Sequence, residues 1–199
     1  MATTRPRRPA LRERYDRRQQ QVVTEAARVF AHQGYDQTTM QELADAVGIA
    51  AGGLYHYFGS KEQLLIRICD DLMNPLLAQA RELLDSDEAP EDQLRELIAL
   101  WVEHVVAHRD HMLVFQQERH VIDSGAQWRS VRASRKRFEE LVDGVLAELE
   151  GDPRARFEDR RIALSALLGM VNHTAQWFRP RGRLSPSEIA AGYAALLVV

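Results

Sequence analysis

Several hydrogen-bond donors cluster between residues 38 and 61 of the sequence, among them Thr38, Thr39, Tyr55, His56 and Lys61. Hydroxyl, imidazole and ammonium groups bind phosphate oxygens, and a hydroxyl or an imidazole also reaches the edges of bases in a DNA groove. The chemistry open to this segment is therefore hydrogen bonding to DNA, provided that the fold places these groups on one surface.

Two short helices separated by a glycine are expected to position these groups. Thr38 or Thr39 is a suitable N-cap, apolar residues then recur at helical spacing as far as Val47, and Gly48 is placed to end the helix. A second helix is expected from residue 50 or 51 to about residue 58. The span 39–58 thus predicts a helix-turn-helix motif, which presents its second helix to the major groove of DNA.

The second helix has a core side and an outer side when it is projected at about 100° per residue. Leu54 marks the core side, and Tyr57 and Phe58 fall beside it. The outer side carries Gly52, Gly53, Tyr55 and His56. A glycine in a helix costs about 1 kcal/mol relative to alanine. Two of them favour a close backbone approach to a phosphate or a base edge, and the alternative is a weak surface helix.

The expected DNA contacts extend beyond the motif into the helix that follows it. Thr39 lies at a helix N-terminus and Lys61 in the first turn of the next helix, where both are placed to bind backbone phosphates. For Thr39 the alternative is a capping role alone. The expected contacts are Thr38, Thr39, Ala50, Ala51, Gly52, Gly53, Tyr55, His56 and Lys61.

Charge is distributed unevenly along the chain of 199 residues. The net charge is −3, yet residues 1–18 contain seven arginines against two acidic residues. A basic N-terminal segment followed by an acidic remainder is typical of a protein that binds phosphates at one end. We expect residues 1–14 to form a basic flexible arm, which either contacts DNA or is a solvated tail.

The composition is that of a globular protein, with 45% hydrophobic and 28% charged residues. The single cysteine, Cys69, excludes an internal disulfide and fits a reducing compartment. No apolar run reaches the roughly 18–20 residues of a membrane span. The basic N-terminus also lacks the apolar centre of a signal peptide. We therefore expect a cytoplasmic protein that does not contact a membrane.

Apolar residues recur at helical spacing along nearly the whole chain, and no segment alternates as a strand does. We predict an all-α fold in which a helix at about 15–33 completes an N-terminal three-helix domain at 15–60. A fourth helix, opened by Ser60 and kinked at Pro75, is shared with a C-terminal helical domain at 61–199. Further helices are expected near 90–108, 110–122, 125–150, 158–179 and 185–198.

The segment from about Gln19 to Leu72 resembles the N-terminal DNA-binding domain of TetR-family transcriptional regulators. The matching pieces are Ala26-Ala27-Arg28-Val29-Phe30, Gly34-Tyr35, Thr38-Thr39, Leu43-Ala44, Gly48-Ile49, Leu54-Tyr55-His56-Tyr57-Phe58 and Ser60-Lys61-Glu62. The chain departs from the family at Ala50 and Gly52, where members often carry serine at the helix start and lysine just after it. The helix cap is therefore weaker here, and one usual polar contact is missing.

The resemblance implies a homodimeric repressor whose two recognition helices enter successive major grooves of a palindromic operator in double-stranded DNA. It also implies that the C-terminal domain binds a small hydrophobic effector that lowers operator affinity, without a cofactor. The last two helices contain the runs IALSALLGMV and IAAGYAALLVV, which are apolar nearly all round. This pattern favours a dimer interface between these helices, with an internal core as the alternative.

A ligand cavity is expected among the aromatic and apolar side chains of the C-terminal domain. Arg129, Arg132 and Lys136 share one helix face with Arg135 close by, and arginine suits phosphate oxygens. A solvated face is the alternative for this stripe, and plain core is the alternative for each apolar candidate. The candidate lining residues are Trp101, Val105, Met112, Phe115, Arg129, Arg132, Phe138, Leu141, Met170, His173 and Trp177.

Two further stretches resemble TetR-type regulators of lipid and steroid catabolism in actinobacteria. One is LVFQQERH at 113–120, with Trp128-Arg129 and Ser134-Arg135-Lys136 after it. The other is Trp177-Phe178-Arg179-Pro180, which leads into Gly182-Arg183-Leu184-Ser185-Pro186. This resemblance implies an acyl-coenzyme A thioester as effector, which requires an apolar cleft for the acyl chain and cations for the phosphates.

Other classes of function have weaker support in the sequence. His104, His108 and His111 recur at a spacing that can bring imidazoles to one helix face as metal ligands, but a new helix at Asp110 would break their alignment, and we expect no metal.

Glu118 or Ser124 beside His120 would be a nominal catalytic pair. Neither pair lies in a nucleophile elbow or a glycine-rich cradle, so we expect no enzyme. An architectural DNA-binding protein without an effector is the remaining alternative, although the C-terminal domain is larger than dimerisation alone requires.

Overall fold

The computed structural model describes residues 9–199, and over this range the fold is all-α, as predicted. The helices are α1 (Pro9–Gln33), α2 (Met40–Val47), α3 (Ala51–Phe58), α4 (Lys61–Leu84), α5 (Pro90–Ala107), α6 (Arg109–Gln117), α7 (Arg119–Ile122), α8 (Arg129–Leu149), α9 (Arg160–Trp177) and α10 (Pro186–Ala195). A 3-10 turn at Ala126–Trp128 precedes α8. The extended pairing in this range is one isolated bridge between Ala155 and Val198.

Two helix predictions differ from the structure. Helix α1 begins at Pro9, so residues 9–14 are helical, and the flexible arm predicted for 1–14 is wrong over that part. The rest of that arm, residues 1–8, lies outside the described range. The helix predicted at 110–122 is divided at Glu118, whose backbone has ψ of 19° and separates α6 from α7.

Helices α1 to α3 pack around a small apolar core. Val22, Val23 and Phe30 of α1 are fully buried, as are Leu43 of α2 and Leu54 of α3. The two connecting turns depend on glycine, because Gly34 and Gly48 have φ of 85° and 70°, a region that other residues rarely adopt. The three helices predicted from the sequence therefore pack around these side chains, which are continuous with the core of the rest of the molecule.

Helix α4 links this unit to the rest of the molecule, and its buried face runs along most of its length. Leu64 and Leu65 lie at its start, and Leu76 and Leu77 are buried beyond Pro75, where the helix continues. Cys69 is buried in the middle of the helix, and burial raises the pKa of its thiol. Because α4 packs against α1 and α3 as well as against α5 and α8, movement of α4 affects both parts of the molecule.

The C-terminal domain is built from α4 to α10. Helix α5 packs against α8, α9 and α10, and α4 packs against α8. Helix α6 contacts α9 on one side and α1 on the other, so it lies between the two domains. Among the described helices, none is both long enough and apolar enough to cross a membrane.

Candidate DNA-reading surface and effector cavity

The start of α2 is fixed by a capping box. The Glu42 N–H donates to Thr39 Oγ1 at 3.2 Å, and the Thr39 N–H donates to Glu42 Oε2 at 2.7 Å. These bonds from the backbone and hydroxyl of Thr39 lower the pKa of the Glu42 carboxyl. Thr39 is exposed, so its capping role leaves it at the molecular surface, where a DNA contact remains open to it.

Thr38 is buried, and its hydroxyl donates to the carbonyl oxygen of Gly34 at 2.7 Å. Its expected DNA contact is therefore a poor fit to the structure. The sequence pattern did not separate it from Thr39, because both are hydroxyl residues ahead of the same helix. The turn geometry directs one side chain inward and the other outward.

Lys61 is also turned towards the protein. Its Nζ lies 2.8 Å from the carbonyl oxygen of Tyr35, 3.0 Å from that of Thr38 and 3.4 Å from that of Asp36. The same ammonium lies 4.3 Å from the centre of the Tyr35 ring. An ammonium has three hydrogens, and these acceptors engage them. The geometry favours a role in holding the 34–39 turn against α4 over the expected phosphate contact.

Helix α3 carries the outward groups that the projection predicted. Its N-cap, Ala50, makes no side-chain capping bond, whereas Leu54 is buried and Tyr55 is 50% exposed. Gly52 is exposed, and a Cβ added to Gly52 or Gly53 would meet no atom within 4 Å. The packing of this chain therefore does not require glycine at either position.

An aromatic cluster joins α1 to α3. The ring of Tyr15 lies 4.9 Å from that of Tyr57 and 6.3 Å from that of His56. Arg18 of the same helix donates to the carbonyl oxygen of Val47 at the end of α2 at 3.1 Å. Neither contact could be predicted from the sequence, because the partners are about 30 to 40 residues away and periodicity indicates only which side of a helix is buried.

A cavity of about 320 Å³ lies in the C-terminal domain between α4, α5, α6, α8 and α9, within the usual size range of small-molecule sites. Five predicted residues line it, and they are Trp101, Met112, Phe115, Phe138 and His173. The rings of Trp101 and Phe138 meet edge to face at 4.8 Å. Met73 and Leu76 of α4 add apolar surface that the sequence analysis did not assign.

The other predicted lining residues lie elsewhere. Val105 is buried in the core, and Arg129 and Trp177 are exposed, away from the cavity wall. Arg132 donates to the carbonyl oxygens of Ile122 at 2.8 Å and Gly125 at 3.0 Å, so it fixes the segment ahead of α8. The remaining two, Leu141 and Met170, are partly buried and do not line the cavity.

The cations at the cavity are Arg119 and Arg135, not the predicted Arg129 and Arg132. The prediction placed the arginine stripe on one face of α8 by spacing alone. Arg135 differs from its neighbours because α8 packs against α4 and α9 and turns that position inward.

The three histidines pack on one another. The rings of His104 and His108 stack at 4.2 Å, and His104 Nε2 lies 2.7 Å from the carbonyl oxygen of Leu72. Burial lowers the pKa of His104 to about 4 and also lowers the pKa of His111. Over residues 9–199, no group of three histidine, cysteine or acidic side chains is arranged to hold a metal ion.

The nominal catalytic pairs do not form in the structure. Glu118 is 6% exposed, and it accepts a hydrogen bond from the main-chain N–H of Tyr35. His120 is exposed, and the Ser124 hydroxyl donates to the carbonyl oxygen of Val121 at 2.9 Å. These groups therefore serve the local structure.

Comparison with protein families agrees with a fold that has a candidate DNA-binding surface on two short helices and a cavity among the helices of the C-terminal domain. The family of bacterial regulatory proteins named tetR matches residues 22–68, and the tetracyclin repressor-like C-terminal domain matches residues 87–199. The second match covers more than half of the chain. The chain belongs to the TetR family. It is a DNA-binding transcriptional regulator of the TetR type and not an enzyme.

Individual relatives extend the similarity over nearly the whole chain. The HTH-type transcriptional repressor KstR2 of Mycolicibacterium smegmatis is 26% identical over 199 residues, which cover 100% of this chain and 94% of that protein. The structure of the ketosteroid transcriptional regulator KstR2 of Mycobacterium tuberculosis has the same fold, with a TM-score of 0.83 at 24% identity over 92% of this chain and 95% of that one.

A third similar protein was solved with its ligands. The structure of AibR in complex with isovaleryl coenzyme A and operator DNA has a TM-score of 0.78 at 26% identity. The match covers 91% of this chain and 98% of that chain. The TetR fold of this chain is thus shared with a protein that binds an acyl thioester and DNA.

Proposed function

We propose that this TetR-family protein is a cytoplasmic homodimer that represses transcription from a palindromic operator and leaves it when a small hydrophobic effector occupies the cavity. The observation that carries the proposal is that α4 and α6 both line the cavity and both reach the DNA-binding domain. A ligand that moves either helix thereby changes the position of the recognition helix.

The proposed DNA-binding surface consists of the exposed side of α3 and the start of α2. Tyr55 and His56 offer hydrogen-bonding groups to phosphates and bases, while Gly52 and Gly53 permit close approach of the backbone. Thr39 is also exposed, at the start of α2. With Ala50 and Ala51 at the start of the helix, these residues are the proposed contacts, and methyl contacts and DNA shape contribute to selectivity.

The dimer interface is proposed on α9 and α10. Large apolar side chains remain exposed along these helices and at the chain end, with Ile162 at 69%, Trp177 at 40% and Leu196 at 59%. Gly169 and Gly192 are also exposed there, which permits close approach of a partner helix. Exposed apolar surface of this kind is typical of a protein interface. We expect Ile162→Glu to shift the protein towards the monomer in analytical ultracentrifugation and to weaken operator binding.

The effector is proposed to belong to the acyl-coenzyme A class. Apolar side chains including Met73, Leu76 and Phe115 line the cavity, and Arg119 and Arg135 line it with them. This combination suits a hydrocarbon chain joined to a polar head. The solved complex of AibR with isovaleryl coenzyme A supports the same class.

The test is operator release measured by fluorescence anisotropy. A labelled genomic fragment is first selected by the purified protein and then titrated at fixed salt with and without saturating acyl thioesters. Release that reflects about 1–3 kcal/mol of coupling weakens operator affinity by roughly 5- to 150-fold.

Leu168→Trp, which fills part of the cavity, is expected to abolish this response, while Leu184→Trp on the surface retains it. If no thioester of any chain length changes operator affinity, an effector-independent DNA-binding protein is the better description.

A further inference from the structure

The segment that contains the helix-turn-helix lacks the basic side chains that DNA binding requires. Residues 29–60 contain no lysine or arginine, and they include three acidic residues, Asp36, Glu42 and Asp45. The next residue is Lys61, whose ammonium lies 2.8 to 3.4 Å from three carbonyl oxygens of the turn before α2. Duplex DNA carries about one negative charge per 1.7 Å of its axis, and proteins bind it largely by neutralising phosphates with lysine and arginine. Cations from another element must therefore neutralise the phosphates at this surface.

The start of α1 lies beside the exposed side of α3. The ring of Tyr15 is 4.9 Å from that of Tyr57 and 6.3 Å from that of His56, which is exposed. One turn further along α1, Arg18 Nη2 donates to the carbonyl oxygen of Val47 at the end of α2 at 3.1 Å. These contacts hold the first turns of α1 at the edge of the helix-turn-helix.

Arg12 and Arg14 lie in these first turns, just ahead of Tyr15 in the chain. Both are exposed, and within residues 9–199 no hydrogen bond or ion pair engages either guanidinium. Residues 9–18 contain four arginines and two acidic residues, an excess of two positive charges. Arginine binds phosphate oxygens through a planar fork of N–H donors. Two unpaired arginines beside an exposed reading helix are therefore placed to bind DNA phosphates.

A phosphate contact from α1 provides the positive charge that the helix-turn-helix lacks. We propose that Arg12 and Arg14 bind the DNA backbone next to the groove that α3 enters, and that they provide the main electrostatic contribution to DNA affinity. Such contacts position a protein on the duplex without reading its sequence, so selectivity remains with α3. The inference rests on the proposed function to the extent that it takes α3 as the helix in the groove.

The test measures the salt dependence of DNA binding by fluorescence anisotropy on the full chain. The probes are a labelled duplex of mixed sequence, about 30 base pairs or three helical turns long, and a genomic fragment selected by the protein. We expect Arg12→Gln and Arg14→Gln each to weaken binding of both probes by roughly tenfold at about 0.1 M salt and to reduce the salt slope by about one per subunit. The preference for the selected fragment should stay unchanged, because every sequence presents the same phosphates.

Two further variants separate a phosphate contact from other effects of substitution. Arg14→Lys keeps the positive charge and should retain most of the salt slope. Arg28→Gln is the matched control and should leave the slope unchanged. Arg28 is exposed on the same helix, but its Nε donates to Glu25 Oε1 at 3.0 Å, and it lies 16 residues beyond Arg12, about 24 Å along the axis. That distance exceeds the Debye length of about 8–10 Å at 0.1–0.15 M salt.

The stability of the variants provides a second measurement. Because neither guanidinium has a partner in the described part of the chain, Arg12→Gln and Arg14→Gln should unfold in urea at the same midpoint as the wild type. A lower midpoint together with an unchanged salt slope would show that the two arginines stabilise the fold instead of binding DNA.

The outcomes separate this inference from the proposed function. Wild-type salt slopes in both glutamine variants overturn the inference, and so does an equal loss in Arg28→Gln, which would be an effect of net charge alone. If His56→Ala abolishes the preference for the selected fragment while both arginine variants keep the wild-type slope, recognition by α3 stands and the α1 contact is wrong. If the slopes fall as expected and His56→Ala and Gly53→Ala leave binding unchanged, the α1 contact stands and the assignment of α3 fails.

Discussion

The main-chain N–H of Tyr35 donates a hydrogen bond to Glu118 Oε1 at 3.3 Å, which joins the turn after α1 to the junction between α6 and α7. Glu118 is buried, and the next residue, Arg119, lines the effector cavity. A second bond across the same boundary runs from Gln117 Nε2 to the carbonyl oxygen of Ala31 at 3.4 Å. The cavity and the DNA-binding domain are therefore in direct contact through α6.

Removing the Glu118 acceptor is expected to uncouple the two sites. In Glu118→Ala, effector affinity should stay within about twofold of the wild type, while the effector-induced loss of operator affinity falls by about tenfold, a change of about 1.4 kcal/mol in coupling. The measurement is operator affinity with and without saturating effector. Glu118→Gln keeps an acceptor oxygen and should retain most of the response, as should Glu148→Ala on the exposed side of α8. Equal loss in all three variants would contradict a role for this bond.

Lys61→Met is expected to destabilise the protein and leave the salt dependence of DNA binding unchanged. Three carbonyl oxygens lie within reach of the ammonium, so its loss leaves the 34–39 turn without its partner and lowers the free energy of unfolding by about 1–2 kcal/mol. Urea denaturation measures the first effect. A titration of operator affinity against salt measures the second, and a slope reduced by about one would indicate a phosphate contact instead.

Gly53→Ala is expected to stabilise the fold and weaken DNA binding together. A Cβ at this position meets no atom of the protein, and alanine is favoured over glycine in a helix by about 1 kcal/mol. On the operator side the added methyl group occupies the space that we assign to a close DNA contact. Thermal denaturation and operator anisotropy test the two effects. Gly144→Ala in α8 is the matched control, since its Cβ is also unopposed, and it should raise stability alone.

Stability should depend on His104 at mildly acidic pH. Burial lowers the pKa of His104 to about 4 in the folded protein, while the unfolded chain takes up the proton near pH 6.5. The contribution of neutral His104 is therefore fully present above about pH 6.5 and is lost as the pH falls towards 4, by about 2 kcal/mol. Urea titrations across this range should show the loss in the wild type and in the exposed-site control His32→Gln, and a smaller loss in His104→Gln.

The helix-turn-helix could be predicted from the sequence because the residues that define it lie close together in the chain. Helical periodicity, the Thr39 cap and the glycine at position 48 define the helix-turn-helix without information from distant residues. The break at Glu118 was missed for the opposite reason. Residues 110–122 keep a helical pattern throughout, and the separation of α6 from α7 accompanies a bond to Tyr35, which is 83 residues away.

The cavity was only partly predictable. Periodicity identifies Trp101 and Phe138 as inward-facing, but it gives the same result for Val105, which packs in the core. Whether a buried side chain faces a void depends on how several helices meet. Lys61 shows the same limit, since a lysine in a first helical turn has the pattern of a solvent-exposed residue until the turn that folds over it is known.

The burial of Cys69 in α4 has a practical consequence for the study of this regulator. The thiol is protonated and shielded, so neither oxidants nor maleimide reagents have ready access to it. The protein therefore needs no background substitution before a reporter cysteine is introduced on the surface. In the proposed homodimer, a nitroxide or fluorophore attached near α3 of each subunit would then report the distance between the two α3 helices directly, in solution and under added ligand.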